Sequence, residues 1–502
     1  MNSMLRKIRL TLAVLFFAAV TLLFLDFTGT LHTWLGWTAK IQFLPALLAL
    51  NVGVVAFLVL LTLVFGRVYC SVICPLGVMQ DIVAWMGKKQ KKNRYSYSPA
   101  KSWLRYGVLA VFVVAMTAGI SLVVALLAPY SSYGRIASNL FAPIYAWGNN
   151  LLAYFAEHAD SYAFYETEVW LKSLPTFIIS LLSFIIIGIL AWRNGRTYCN
   201  TICPVGTVLG VLARFSWLKP AIDADKCVNC KLCARNCKAA CIDIAKHRID
   251  YSRCVACMDC IGMCHKGAIS YKHPAKKNAQ PKVSEAKISA EQINEARRSF
   301  LTATALVATT AALMAQEKKV DGGLAVIEDK KIPDRKTPIV PPGALSARDF
   351  ARHCTACQLC VSACPNEVLR PSTDLARLMQ PEMSYERGYC RPECTKCGEV
   401  CPAGAIRPIT IADKSATQIG HAVWIRQNCV PLTDGVECGN CARHCPTGAI
   451  QMIPSDAGNP DSPKIPAINV ERCIGCGACE NLCPARPFSA IYVEGNEVHR
   501  VV

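Results

Sequence analysis

Apolar residues crowd into the first two hundred positions of the chain and fall into four runs, at 10–27, 43–65, 106–127 and 174–192. Each approaches or exceeds the length of a bilayer-spanning helix, about 20 residues with a range of roughly 17–25. The pattern predicts four membrane spans followed by a polar half. The segments between the runs differ in charge. The one between the second and third carries Arg67, Lys88, Lys89, Lys91, Lys92, Arg94 and Lys101 against Asp81 alone. From 129 to 173 two bases, Arg135 and Lys172, face Glu157, Asp160, Glu166 and Glu168, and the loop 28–42 holds only Lys40. Basic loops stay in the cytoplasm. The N-terminus, the 66–104 loop and the chain beyond Trp192 are therefore expected on that side. A net charge of +19 raises the question of nucleic acid. The basic loops and linkers account for it, and no basic helix with interleaved aromatics accompanies it, so nucleic acid is not an expected partner.

Two of the cytoplasmic ends repeat each other. "GRVYCSVICPLG" from Gly66 matches "GRTYCNTICPVG" from Gly195, each directly after an even-numbered span. The repeating unit is two spans plus a cysteine motif, which puts Cys70, Cys74, Cys199 and Cys203 on one face of the membrane. Proline suits the first turn of a helix, so Pro75 and Pro204 place Cys74 and Cys203 at helix starts, where a thiolate is favoured. Four thiols in this arrangement suit one shared metal centre, most simply iron–sulfur, or else two redox-active dithiols.

The remaining 25 of 29 cysteines decide the class of the protein. "CVNCKLCARNC" from Cys227 recurs as "CVACMDCIGMC" from Cys254. The spacing C-x2-C-x2-C-x3-C holds 4Fe–4S clusters, the fourth cysteine serving the other cluster of a pair. Cys227, Cys230 and Cys233 are thus expected to join Cys264, and Cys254, Cys257 and Cys260 to join Cys237. An unbroken triplet with a trailing fourth cysteine is unlike the two separated pairs of structural zinc sites. Four more runs follow. Cys354, Cys357, Cys360, Cys364 and Cys473, Cys476, Cys479, Cys483 keep the spacing; Cys390, Cys394, Cys397, Cys401 and Cys429, Cys438, Cys441, Cys445 stretch it. The irregular runs are the inner two, which suggests a nested pairing, first with fourth and second with third; sequential pairing is the alternative. Cys241, the one left over, falls on the slot of Ala268, Ala405 and Ala449, and reads as a core residue. Six clusters are expected, with a seventh metal centre at the C-x3-C-P motifs as an addition.

Between these groups "RRSFLTATALVATTAALMAQ" begins at Arg297 and looks like a twin-arginine export leader. Clusters are assembled in the cytoplasm, so a four-cluster domain bound for the periplasm must cross folded, the route such a signal addresses. Residues 299–315 can cross as a fifth span, and with no clean A-x-A before Gln316 the segment is expected to stay attached. An all-cytoplasmic polyferredoxin is the alternative. The expected fold is a membrane α-helical protein with α+β bacterial-ferredoxin-like domains. Its parts are a four-span domain at 1–215, a two-cluster domain at 216–273, a linker at 274–296, the signal at 297–316, a second linker at 317–348 and a four-cluster domain at 349–502.

On these motifs the chain to about His273 resembles the NapH-type membrane ferredoxins, and from Arg297 the NapG/MauM-type ferredoxins, two usually separate proteins joined. The resemblance implies electron transfer from membrane quinol, or a cytoplasmic donor, to a periplasmic reductase such as nitrate reductase or to its small carrier subunit. It implies residence in a bacterial inner membrane and leaves a quinol dehydrogenase activity open. Related regulators and assembly ferredoxins share the C-x3-C-P motifs, so an assembly factor that reduces or delivers a metal is the rival. No acid–base or nucleophile constellation stands out. His32 and His158 fall on the expected outer side, where quinol protons would leave.

Overall fold

The computed structural model describes residues 2–273 except 27, 91–94 and 162, the strand pair Val320–Asp321 and Ala325–Val326, and residues 328–501. The linker 274–296 and the expected signal or fifth span at 297–316 lie outside the described residues.

The first two hundred residues form a helical layer. Its main helices are α1 (Asn2–Leu25), α2 (Val52–Phe65), α3 (Pro75–Gln90), α4 (Ser102–Ala118), α5 (Ala142–His158), α6 (Leu174–Asn194) and α7 (Pro204–Ala213). Among the described residues, only α1 and α6 are long and apolar enough to cross a membrane, so the expected count of four spans is not supported. The second apolar run breaks near Leu50, whose φ is +53°, and restarts at α2, where the Asn51 side chain accepts from Val54 N–H. The third breaks at Gly119, which ends α4 in the left-handed conformation (φ +77°) before a short helix, Ser121–Leu127. Hydropathy is blind to both breaks, because the residues on either side of them are equally apolar.

Two cysteine-rich domains sit at opposite ends of this layer. The two-site domain, 219–272, pairs Lys219–Ile222 antiparallel with Ile269–Lys272 and Ile242–Asp243 with Arg248–Ile249. The four-site domain, 328–501, contains the hairpins Leu369–Pro371/Pro381–Met383 and Ile450–Asp456/Asn459–Ile468, and pairs Thr417–Trp424 with Ile491–Val501. Arg6, at the start of α1, meets Asp259 of the two-site domain at 2.9 Å. Phe24, near its end, packs at Gly134 beside the Cys357 carbonyl of the four-site domain. Those 24 residues span about 36 Å at ~1.5 Å per residue. The other helices repeat the arrangement in alternating directions. The Leu63 and Val64 carbonyls that end α2 accept from Trp217 and Leu218 N–H, while Ala49, before its start, lies against Gly404. Arg105 at the start of α4 donates to Ser252 Oγ at 3.1 Å, and Gly119 at its end lies against Arg352. Trp170, ahead of α6, donates to Glu367, and Arg196, just after it, donates its N–H to the Lys238 carbonyl.

Candidate iron–sulfur centres

A C-x2-C-x2-C run can aim three sulfurs at one point only if its backbone curls. Two left-handed residues make the curl, one just before the second cysteine and one just after it. They are Asn229 and Lys231, Ala256 and Met258, Ala356 and Gln358, and Gly475 and Gly477. Each non-glycine among them bears a cost of about 1–2 kcal/mol, strain of a kind that collects at functional sites. A one-turn helix then carries the third cysteine: Leu232–Arg235, Asp259–Gly262, Leu359–Ser362 or Ala478–Asn481. Backbone N–H groups point at the sulfurs, Ala268 at Cys264 (3.2 Å), Ala490 at Cys483 (3.3 Å) and Ala356 at Cys354 (3.4 Å). Such donors favour a thiolate and tune a cluster's potential.

The grouping follows. Cys227, Cys230, Cys233 and Cys264 line one cavity, and Cys254, Cys257, Cys260 and Cys237 another. In the four-site domain the nested pairing is wrong. Cys390, Cys394 and Cys397 share a cavity with Cys364, and Cys429, Cys438 and Cys441 share one with Cys483. Cys401 lies within electrostatic range of Cys354, Cys357 and Cys360, and Cys445 within range of Cys473 and Cys476. Pairing is sequential because a hairpin lies inside each pair, at 369–383 between the first two runs and at 450–468 between the last two. Irregular spacing changes a loop and leaves the partner the same. The two pairs then abut, Cys390 N–H donating to the Cys476 carbonyl at 2.9 Å.

These residues fit 4Fe–4S cubes. Each traced group has three cysteines from one run and the fourth from its neighbour, and the cavities are lined mainly by apolar side chains. Among the described residues, no three His, Cys, Asp or Glu stand close enough to hold a single ion, where thiolates ~2.3 Å from the metal would lie within about 4 Å of one another. Burial pushes Cys257, Cys357 and Cys476 up to about 12, so loading must displace their protons. Cys241 is buried, as its alanine slot implies, yet its sulfur lies 3.6 Å from Cys237 and lines the same cavity. That proximity, which no spacing rule signals, helps pull Cys237 down to about 7.

The duplicated motifs meet as a buried quartet. Cys70, Cys74, Cys199 and Cys203 each keep no more than 5% exposure. Cys203 caps α7, its sulfur accepting from Gly206 N–H at 3.3 Å, as the Cys-Pro sequence predicts. The sequence reading did not single out the arginine of each motif. Arg67 donates to the Cys199 carbonyl (3.2 Å), Asn200 Oδ1 (2.9 Å) and the Ser252 carbonyl (3.0 Å), with its Nη2 3.8 Å from Cys70 Sγ. Arg196 answers from the other half, donating to the Cys70 carbonyl (2.8 Å) and Asp81 (2.7 Å), with Cys199 Sγ at 3.8 Å. Each half's guanidinium thus clamps the other half's motif. The repeat "GR–x–YC" was the available signal. Gly77 and Gly206 are the matching small residues, since a Cβ on either would lie 2.3 Å from the carbonyl of Cys70 or Cys199.

The motif tyrosines face away from the two-site domain. Tyr69 Oη donates to Gln42 Oε1 (3.1 Å) and Tyr198 Oη to the Leu127 carbonyl (3.3 Å). Arg135, fully buried, donates to the carbonyls of Ala125 (3.0 Å) and Ala356 (3.5 Å), the latter next to Cys357. Of His32 and His158, the first has an enclosed side chain with Nδ1 3.0 Å from Asp26, and the second is exposed and bonds its own helix at the Tyr154 carbonyl.

Comparison with known proteins finds 4Fe–4S families over parts of the chain. A family described as a 4Fe–4S binding domain matches residues 47–93 and 176–223, the two motif-bearing segments, and a 4Fe–4S dicluster domain matches 436–486. The methylamine utilization ferredoxin-type protein MauM of Methylobacillus flagellatus is 30% identical over 168 residues, covering 32% of this chain and 70% of that protein. The ferredoxin-type protein NapG of Escherichia coli is 32% identical over 153 residues, 28% of this chain and 64% of NapG. NapH of the same organism is 26% identical over 197 residues, 39% of this chain and 55% of NapH. No solved structure matches.

Proposed function

The chain belongs to the ferredoxin-type 4Fe–4S proteins that include MauM, NapG and NapH, and on that premise we propose that it conducts electrons across a bacterial inner membrane to a periplasmic reductase. The donor is quinol, or a cytoplasmic reductant acting through the two-site domain. In this reading the 24 cysteines of the six runs hold six clusters, which supply one-electron transfers at potentials set by their surroundings. The two-site domain lies on the cytoplasmic side and the four-site domain on the periplasmic side, with the helical layer, including the two membrane-length helices α1 and α6, between them.

One observation carries the proposal: the quartet stands between the two domains and is joined to both. Arg67 links it to the Ser252 carbonyl, two residues from Cys254. On the other side Tyr198 Oη donates to the Leu127 carbonyl, and nearby Arg135 donates to the carbonyls of Ala125 and of Ala356, the residue before Cys357. We assign the quartet a seventh iron–sulfur centre. Arg67 is wholly buried and no carboxylate among the described residues bonds it, while a buried charge without a counter-charge costs several kcal/mol. Four thiolates around a cluster supply that negative charge, whereas neutral dithiols do not. A metal-delivery role needs an accessible thiol, and all four are enclosed.

Iron analysis and electron paramagnetic resonance of the reduced protein test this. With ~4 iron atoms per cluster, about 28 are expected per chain. Cys74→Ser and Cys203→Ser should each lose the same signal and about four iron atoms. Full metal content with only a titratable thiol pair lost would establish the dithiol reading instead. A periplasm-only reporter fused to the C-terminus should be active, and lysines at positions 297 and 298 should silence it.

A further inference from the structure

A large cavity of about 430 Å³ opens where the helical layer meets the four-site domain. None of the cysteine sites accounts for it, although Cys364 lies in its wall. One side is apolar, formed by Ala142, Pro143 and Ala146 at the start of α5. That helix also presents Ile144, Trp147, Leu151 and Phe155, each about 60% exposed, as an apolar face in line with the membrane layer. The other side is polar and comes from the four-site domain.

Gln358 is the telling residue. It is 1% exposed, its Oε1 accepts from Asn139 Nδ2 at 2.8 Å, and its own amide N–H₂ is buried without a hydrogen-bond partner. A buried donor without an acceptor is unfavourable, so one in a cavity wall marks a place for an acceptor. Glu367 on the same wall is oriented by Trp170 Nε1–H, which donates to it at 2.9 Å. The Trp170 ring is in turn fixed by Arg370 and Arg387, each 4.4 Å from its centroid.

We propose that this cavity binds the head group of a membrane quinol, its ring oxygens between the Gln358 amide and the Glu367 carboxylate and its isoprenoid tail along α5. The proposal rests on the electron-conduit reading above, and names where quinol enters it. Oxidation breaks the two O–H bonds and leaves a quinone. The two protons leave by the rim carboxylates Glu367, Glu166 and Glu168, and a cluster held by Cys364, Cys390, Cys394 and Cys397 would be the nearest one-electron acceptor, taking the two electrons singly. A quinol joins an apolar tail to a ring with two oxygens, which suits a cavity with one apolar side and a polar wall that carries an unpaired donor.

The test uses the iron-loaded full chain in lipid nanodiscs with a photoreactive azido-benzoquinone. Label should map to peptides within 138–147 and 358–371 and be displaced by unlabelled quinone. Ala146→Trp, which fills the apolar side away from the cysteines, should weaken quinone binding at least tenfold. Its iron content and dithionite-reduced spectrum should stay as in the parent. Gln358→Met should weaken binding about threefold to tenfold, the worth of one hydrogen bond. Label elsewhere, or unaltered binding in Ala146→Trp, while quinol still reduces the clusters, overturns this site and leaves the donor reading standing. Displacement by phospholipid and not by quinone makes the cavity a lipid site and likewise overturns it. If quinol neither binds nor reduces the parent protein, the site and the quinol donor fall together.

Discussion

The quartet and a regular ferredoxin run are both four-cysteine sites, yet they are built on opposite plans. A run such as Cys473, Cys476 and Cys479 brings three sulfurs from seven consecutive residues, curled by left-handed Gly475 and Gly477. The quartet has only two cysteines per segment, no left-handed residue between Cys70 and Pro75 or between Cys199 and Pro204, and no shared loop. Its geometry comes from two helical halves clamped by Arg67 and Arg196, 129 residues apart in sequence. One kind of site is a property of a loop; the other is a property of a packed interior. They should therefore fail differently.

The largest difference is expected at Arg67. Arg67→Met leaves Asn200 Oδ1 and the Cys199 carbonyl without this donor, leaves the Ser252 carbonyl to Arg105 alone, and removes one of the two guanidinium groups 3.8 Å from a quartet sulfur. The expected loss is about 3–5 kcal/mol, read as a lower thermal midpoint of the detergent-solubilised protein. The quartet's signal should vanish while about 24 iron atoms remain. Arg67→Lys should not restore it, because one ammonium cannot reach acceptors arranged for a planar fork. Retention of the signal in Arg67→Met would make the quartet as locally encoded as a run.

Next comes Gly477→Ala. The added Cβ would lie 2.2 Å from Cγ of Tyr385, at a φ of +81°. The cost is about 3 kcal/mol, left-handed strain together with overpacking. Limited proteolysis should show it as an opening of the four-site domain, with one cluster's iron lost and the quartet intact.

A smaller effect separates the domains by pH. Burial lowers His499 to about 4. Above about pH 6.5 the ring is neutral both folded and unfolded, and it contributes no pH dependence. Between pH 6.5 and 4 the unfolded chain takes up a proton that the folded domain resists, so stability falls as pH falls, levelling off below 4. Denaturation of the four-site domain at several pH values should show this slope, and His499→Phe should flatten it. The smallest effect is a gain. Lys231→Gly relieves a left-handed residue on an exposed loop, and should raise the stability of the two-site domain by at most about 1 kcal/mol.

The sequence by itself determined the class of chemistry, because ligand spacing is local: the triplet runs, the trailing fourth cysteine and the duplicated motif can be read within a dozen residues each. It also marked the boundary between an apolar half and a cysteine-rich half, since burial in lipid and burial of a small core call for different compositions. It could not choose the partners of the last four runs. Regularity of spacing pointed to nesting, but the partner is set by the hairpin that lies between two neighbouring runs, and chain entropy favours the shorter closure. Nor could hydropathy detect the helix breaks near Leu50 and at Gly119, which rest on backbone conformation and not on polarity. Only the tertiary structure put Arg67 beside Cys199, Cys241 beside Cys237, and the unpaired Gln358 amide in the wall of a cavity. Those contacts join residues from 4 to more than 200 positions apart, and their energy exists only once water has been excluded from between them.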